Sequence, residues 1–255
     1  MDIVVLVKYV PDPQGTPELD DAFLVVREGT EGALDPGDEY AVEAGLRLTE
    51  AHGGEVTLVT MGPENAAAAL RKGLSMGAHA GVHVVDPALR GSDALATARV
   101  LAAAVRRRRF DLVLAGVEST DGSTGTLPMT VAQLLGLPSV TFARALAVRD
   151  GVLRVERPTD LGFDVVEASL PALATVTGSA PEPRYPTLKG IMQAKQKPVE
   201  RLTLADLGLS AQDLAPTQRV VGLTRAQERA AGEIVRADED GAKRIVDLLA
   251  EAKVL

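Results

Sequence analysis

Three short apolar runs, at 3–7, 56–60 and 112–115, are rich in Val, Ile and Leu and almost unbroken by polar residues. Runs of that kind are the signature of parallel strands buried on both faces. A further short strand is expected over 82–85. Helical patterns over 38–51, 64–74 and 93–108 lie between these runs and have the length of crossover connections. Pro63 stands just before Glu64, where the first turn of a helix tolerates proline, and Ser92-Asp93 offers a cap. A fourth helix is predicted over 126–135, ended by Gly136 and Pro138. This alternation predicts an α/β fold, a doubly wound parallel sheet of three-layer, Rossmann-like form, through about residue 140.

Beyond that point the pattern changes. Strands are expected over 143–149, 152–157 and 165–169, with Arg149-Asp150-Gly151 as a hairpin turn, and these antiparallel strands extend or flank the main sheet. From 178 to 198 three prolines punctuate an extended segment, followed by a short basic amphipathic stretch, which reads as a surface loop and a short helix. The remainder, 199–255, is polar, with helical patches at 211–214 and 240–252 and too little apolar surface for a core of its own. Two parts are therefore expected: an α/β domain over 1–198 and an extended C-terminal arm over 199–255 that lies on something else.

The chain has 255 residues, 46% of them hydrophobic, and no cysteine, so it can bury a full core without disulfides. With 35 acidic and 27 basic residues its formal charge is -8, which argues against holding nucleic acid or an anionic membrane by bulk charge. The basic run 106–109 reads as a solvated helix end. Without thiolates, and with three scattered histidines, Fe–S and His-based metal sites are not expected, and His79 and His83 read as solvent-facing. Aromatic residues make up only 3% and Trp is absent, which disfavours a base-stacking surface. No stretch approaches the ~20 apolar residues of a membrane span, and Met1-Asp2 runs straight into a strand. A cytoplasmic protein without membrane insertion is expected.

The chain has neither a G-x-x-x-x-G-K-S/T nor a G-x-G-x-x-G motif after its first strand, so a P-loop NTPase or conventional dinucleotide domain is not expected. The strand at 112–115 instead runs into GVESTDGSTG, a loop dense in Gly, Ser and Thr leading into a helix. That arrangement places backbone N–H groups and a helix N-terminus at the carboxyl edge of the sheet, where anions bind. The alternative is a loop that uses these residues only for turning and capping. Other strand ends reach the same crevice: VKYVPD at 7–12, Asp35-Pro36 and Met61-Gly62-Pro63. Taken singly, Asp35 suits a helix cap and Lys8 a surface lysine. No Ser/His/Asp set can be assembled, and no G-x-S-x-G is present. The inventory favours binding over catalysis, so no catalytic residue is assigned.

Together these motifs resemble the beta subunit of electron transfer flavoprotein. The resemblance is carried by VKYVPD at 7–12, Asp35-Pro36 before EYAVEA at 39–44, Met61-Gly62-Pro63, LSMGA at 74–78, the loop 116–125, and EPRYPTLKGIMQAK at 182–195. It runs from residue 1 to about 210. The last string is the most specific, because no generic structural need would make it recur.

The resemblance implies a carrier rather than an enzyme: a subunit that binds a structural AMP and pairs with an alpha subunit holding most of an FAD. The heterodimer would carry electrons from acyl-CoA and other dehydrogenases, as in fatty acid beta-oxidation, to a quinone oxidoreductase or other acceptor. It also implies that the nucleotide meets Leu6, Asp35, Pro36, Met61, Val113, Gly116, Thr120, Asp121, Gly122, Ser123, Thr124 and Gly125. Leu6, Met61 and Val113 would flank the adenine, and loop amides would hold the phosphate. The implied docking segment includes Arg184, Tyr185, Leu188, Ile191 and Met192, with Leu188 as the apolar anchor. Lys189, Lys195 and Lys197 would steer a partner or hold the alpha subunit. In place of the aromatic residue some relatives set near the flavin, this chain has Pro13, and its phosphate loop reads DGSTG where many relatives have DGDTAQ. Two other readings stay open: a stand-alone adenine-nucleotide sensor or hydrolase, and an electron-bifurcating variant with a second FAD in place of AMP.

Overall fold

The first apolar run forms β1 (Ile3–Leu6), followed by an antiparallel pair, β2 (Tyr9–Pro11) and β3 (Gly32–Leu34), and then α1 (Pro36–His52). β4 (Val56–Met61), α2 (Ala67–Met76) and β5 (Ala80–Val84) come next, and α3 (Ala94–Arg106) returns the chain to β6 (Leu112–Gly116). After α4 (Leu127–Leu135) come β7 (Ser139–Ala143), β8 (Ala145–Arg149), β9 (Val152–Thr159) and β10 (Gly162–Ser169). The chain continues through β11 (Ala172–Val176), α5 (Leu188–Ala194), β12 (Val199–Leu202) and, near its end, α6 (Gly241–Glu251). The structure, a computed structural model, describes residues 1–255 apart from 13, 16, 28, 30, 219, 225–231, 237–239 and 255.

Seven strands form a parallel sheet in the order β12-β5-β4-β1-β6-β11-β7. Its central strands are buried on both faces, as their unbroken apolar composition requires. On β1, Ile3 and Val5 enter the core beneath α1 and α2, while Val4 and Leu6 enter the core beneath α3 and α4. Leu112 and Leu114 of β6 divide from Val113 and Ala115 in the same way. The predicted helices form with the expected signals. Asp35 caps α1, Pro36 occupies its first turn, and Asp93 caps α3 by accepting from the Ala96 N–H at 2.8 Å. The expected helix over 64–74 begins instead as a single 3-10 turn, Glu64–Ala66, before α2.

The antiparallel strands flank the main sheet as a separate sheet, β10-β9-β8. Asp150 and Gly151 form the two-residue turn between β8 and β9, with φ of 51° and 76°. Both central residues of such a turn need φ above zero, and Asp-Gly meets that need. Two strands of the main sheet carry no clear signal in the sequence. β11 is fully buried between β6 and β7, yet Ala172, Ala174 and the preceding Pro171 are residues depleted from strands. β12 is an edge strand of alternating character beside β5.

β12 joins the main sheet beside β5, just past the expected boundary at 198. The first compact unit runs over Met1–Val220, and the second, Val221–Leu255, contains α6. In that second unit Arg244 pairs with Glu233, and Ile245, Val246 and Leu249 of α6 are exposed. The basic run at the end of α3 is largely exposed, as expected, with Arg106, Arg107 and Arg109 exposed and Arg108 half-buried, and it carries partners as well. Arg107 and Arg108 pair with Glu200, Arg107 donates to the Asp206 carbonyl at 3.1 Å, and Arg99 donates to the Asp213 carbonyl at 3.0 Å. These arginines fasten the segment after β12 to α3. His79 is exposed, as expected, but His83 is buried, with Nε2 3.1 Å from the Gly62 carbonyl. It lies on β5, whose residues face packed layers on either side.

α5 packs on α2 through Gly190, where a Cβ would stand 2.4 Å from the Ser75 carbonyl oxygen. Backbone cannot yield cheaply to that overlap. Gly190→Ala is expected to lower stability by about 1–3 kcal/mol, read as a reduced denaturant midpoint with an unchanged slope.

Candidate functional site

The sheet reverses its winding between β1 and β6: β4 and β5 lie to one side of β1, β6 and β11 to the other. The carboxyl ends of these two strands frame the crevice expected at such a switch point. Asp38, in the first turn of α1, bridges them. Its Oδ2 accepts from the Lys8 N–H at 2.8 Å and its Oδ1 from the Gly116 N–H at 3.1 Å. Gly116 is required for this approach, since a Cβ there would lie 2.7 Å from Asp38 Oδ1. Asp35 Oδ1 caps α1 by accepting from Gly37 N–H at 2.9 Å, and its Oδ2 accepts from the Thr120 N–H at 2.7 Å and the Thr120 hydroxyl at 2.8 Å. Both carboxylates are buried. Burial and the charge of Asp35 push Asp38 up to about 8, against the two amide bonds that favour its anion.

The loop after β6 stands on this base. Asp121 is almost covered, with 4% of its side chain exposed, and receives two cations. Lys8 Nζ donates to its Oδ1 at 2.6 Å and Arg27 Nη2 to its Oδ2. Burial raises the Asp121 carboxyl, but Lys8 and Arg27 more than offset it and hold it below the ordinary value. Lys8 Nζ also donates to Ser119 Oγ at 3.0 Å. At Gly122 an added Cβ would lie 3.1 Å from Ser119 Oγ and 3.5 Å from Lys8 Nζ. Ser123 (φ 44°) and Gly125 (φ 61°) turn the chain into α4, whose first turn has no side-chain cap, unlike those of α1, α3 and α5. Thr60 Oγ1 and Asn65 Oδ1, at and just beyond the end of β4, are buried polar atoms with no hydrogen-bond partner among the described residues.

The structure thus brings Asp35, Gly116, Thr120, Asp121 and Gly122 together with Lys8. Pro36 is exposed in the first turn of α1, and Ser123, Thr124 and Gly125 are exposed on the loop. Leu6 and Met61 lie at strand ends on the α3/α4 side of the sheet. Val113 lies deeper, fully buried in mid-strand between Val4 and Leu173, so its side chain belongs to the core. Pro13 lies outside the described residues. Arg27 was not legible in the sequence: it lies in the 12–31 connection, which has no periodic pattern that would aim it at residue 121.

In the docking segment, Tyr185, Leu188, Ile191 and Met192 are exposed, Leu188 by 77%. Thr187 caps α5 by accepting from the Gly190 N–H at 3.0 Å. Arg184 turns inward to its own domain. It donates through Nε to Glu43 at 2.7 Å and through Nη1 to Glu50 at 2.5 Å. Glu43 is itself buried; burial raises its carboxyl, but Arg184 and Arg47 hold it below its ordinary value. Lys197 is also structural rather than steering. Its ammonium donates to the Leu74 and Ala78 carbonyls at 2.9 and 2.6 Å, at the end of α2.

Because Asp38 sits at about 8 in the folded chain against 3.8 ordinarily, the folded state holds one proton more than the unfolded state across that window. Its contribution to stability is therefore greatest at low pH and is lost as pH rises, by up to about 1.4 kcal/mol per pH unit, levelling off above about pH 8. Denaturant unfolding from about pH 5 to 9 measures that slope, and Asp38→Asn is expected to flatten it; an equal slope in the variant would place the proton elsewhere.

The model of the electron transfer flavoprotein domain matches residues 22–207. The electron transfer flavoprotein subunit beta of Mycobacterium leprae is 40% identical over 264 residues, spanning 100% of this chain and 99% of the relative. The subunit of that name from Thermoanaerobacterium thermosaccharolyticum is 34% identical, spanning 100% of both chains. That of Bacillus subtilis is 35% identical, spanning 89% of this chain and 90% of the relative. With its seven-stranded parallel sheet, flanking antiparallel strands and full-length likeness, the chain belongs to the electron transfer flavoprotein family, among its beta subunits.

Proposed function

We propose that this chain is the carrier subunit of a cytoplasmic heterodimer, binding a structural AMP and completing, with an alpha subunit, the site of one FAD. What carries the AMP assignment is the loop at the carboxyl edge. An uncapped helix start, the small Gly122 and two cations converge there on a chain whose overall charge is negative. A phosphoryl group fits that donor set. Backbone amides of 120–125 would hold the phosphate, and Leu6 and Met61 would border the adenine, with Val113 as core behind them. FAD, held mainly by the alpha subunit, supplies the electron-accepting chemistry when bound, and this chain contributes no catalytic residue. Leu188, Ile191 and Met192 would dock acyl-CoA or related dehydrogenases reversibly, with a quinone oxidoreductase or another acceptor receiving the electrons.

The nucleotide content of the complex, co-purified with its alpha partner, denatured and resolved by chromatography and mass, is expected to be one FAD and one AMP. Two FAD without AMP would show a second flavin in the AMP position, and a flavin-free monomer would overturn the carrier reading. Leu188→Ala removes a side chain that is exposed here and so leaves folding and flavin content intact. Electron transfer from the dehydrogenase is expected to slow about tenfold, the range of an interface anchor; unchanged stopped-flow rates would remove Leu188 from the contact.

A further inference from the structure

We propose that Arg184 is a positioning residue for docking: bound to the buried carboxylate of Glu43, it fixes where Leu188 stands for the dehydrogenase; this rests on the docking reading above. The guanidinium commits all three of its nitrogens within the chain. Nε donates to Glu43 Oε2 at 2.7 Å and Nη2 to Glu43 Oε1 at 3.2 Å, while Nη1 and Nη2 donate to Glu50 Oε1 and Oε2 at 2.5 and 3.1 Å. The backbone N–H of Arg184 donates to Glu43 Oε2 as well, at 3.2 Å. Side chain and main chain of one residue are thus bound to one carboxylate. Glu43 is 2% exposed and is gripped within its own helix by Arg47 Nε at 2.6 Å, so the acceptor is a fixed point of α1 and not a loose surface group.

Such a pair is weak evidence of stability, because desolvating two charges offsets much of their attraction. What a forked arginine fixes is geometry. Tyr185, Pro186 and Thr187 alone separate Arg184 from Leu188, the first residue of α5, and Pro183 and Pro186 restrict the backbone on either side of the arginine. The place of Arg184 is therefore carried to Leu188 with little slack. The rest of the helix has a separate hold: Gly190 closes on Ser75 of α2, Ala194 is buried in the core, and Lys197 donates to the Leu74 and Ala78 carbonyls at the end of α2. α1 thus sets the entry of the docking segment and α2 its exit. At 77% exposure Leu188, at the entry, takes its place from its backbone rather than from packing.

The test is stopped-flow electron transfer from a substrate-reduced acyl-CoA dehydrogenase to the complex with the alpha subunit, read as the half-saturating dehydrogenase concentration and the limiting rate. The variants are Arg184→Gln, Arg184→Lys, Leu188→Ala and the double variant Arg184→Gln/Leu188→Ala. Arg184→Gln is expected to raise the half-saturating concentration about tenfold while the limiting rate stays within about twofold of wild type. Arg184→Lys, which keeps the charge but not the fork, is expected to fall between. The double variant is expected to stay within about twofold of Leu188→Ala alone, because the anchor that Arg184 positions is already gone. The proposal is overturned if Arg184→Gln matches wild type while Leu188→Ala slows transfer, or if the two losses multiply, since Arg184 would then act apart from Leu188. A fall in flavin content and limiting rate with no change in half-saturation also overturns it, leaving Arg184 a support of the fold. Should Arg184→Gln fail to fold, Glu50→Gln changes the network at its exposed end, and is expected to raise half-saturation about two- to threefold in wild type and not in the Leu188→Ala background; a wild-type value there overturns the proposal. If Leu188→Ala itself leaves transfer unchanged, the docking reading falls, and with it the role of Arg184.

Discussion

Two buried carboxylates at the start of α1 hold the carboxyl edge of the sheet together. Removing an anion from water is costly unless hydrogen bonds and charge replace hydration. Asp35 and Asp38 take four such donors, Gly37 in α1 itself and Lys8, Gly116 and Thr120 from the strand ends and loop around it, and for Asp38 they offset only part of the burial. The upward shift of Asp38 arises first from its burial and then from the charge of Asp35 within the same helical turn. The consequence is mechanical. α1 is tied to β1 and β6 at the point where the sheet reverses, and the loop beyond β6 is seated on Asp35 through Thr120. Remove either carboxylate and the loop loses the floor that fixes the height of Asp121 and Gly122.

This arrangement explains why the site was partly legible. Unbroken Val, Ile and Leu runs report strands covered on both faces, so β1, β4 and β6 and the crossovers between them could be read directly. The loop was legible because Gly, Ser and Thr after such a strand leave amides accessible. β11 was not, because Ala172 and Ala174 fill a tight space between β6 and β7 by being small, and smallness leaves no hydrophobic signal. The partners of charged residues were the other blind spot. Asp35 was read as a cap, which it is, but its hold on Thr120 spans 85 positions and leaves no local trace. Arg27 reaches Asp121 across 94 positions for the same reason.

The long-range partners of several basic residues left no trace in the sequence. Arg99, Arg107 and Arg108 grip the segment after β12, Lys197 closes the end of α2, and Arg184 binds Glu43 and Glu50. In β12 and the segment after it these pairs act beside apolar contacts, since Leu202, Leu204 and Leu214 are buried in the core beneath α3 and α4 and Leu207 and Leu209 pack against it. The segment shares the sheet's own core, and the first compact unit extends past β12 to Val220.

Long-range polar contacts also bear on the exposed face of α5. A seven-residue helix is too short to persist on propensity. It is held from beneath by the Thr187 cap, the close approach of Gly190 to Ser75, the Arg184 pairs before it and the Lys197 ammonium after it. None of these contacts uses Leu188, Ile191 or Met192, all of which remain exposed. Polar contacts, the close approach at Gly190 and the buried Ala194 hold one side of the segment, so the exposed apolar side chains are available for a partner while the backbone is already ordered. Contact made by such a preformed element costs little further ordering, and a thioether such as Met192 adapts to surfaces of different shape. Those two properties suit a carrier that must meet and leave more than one partner.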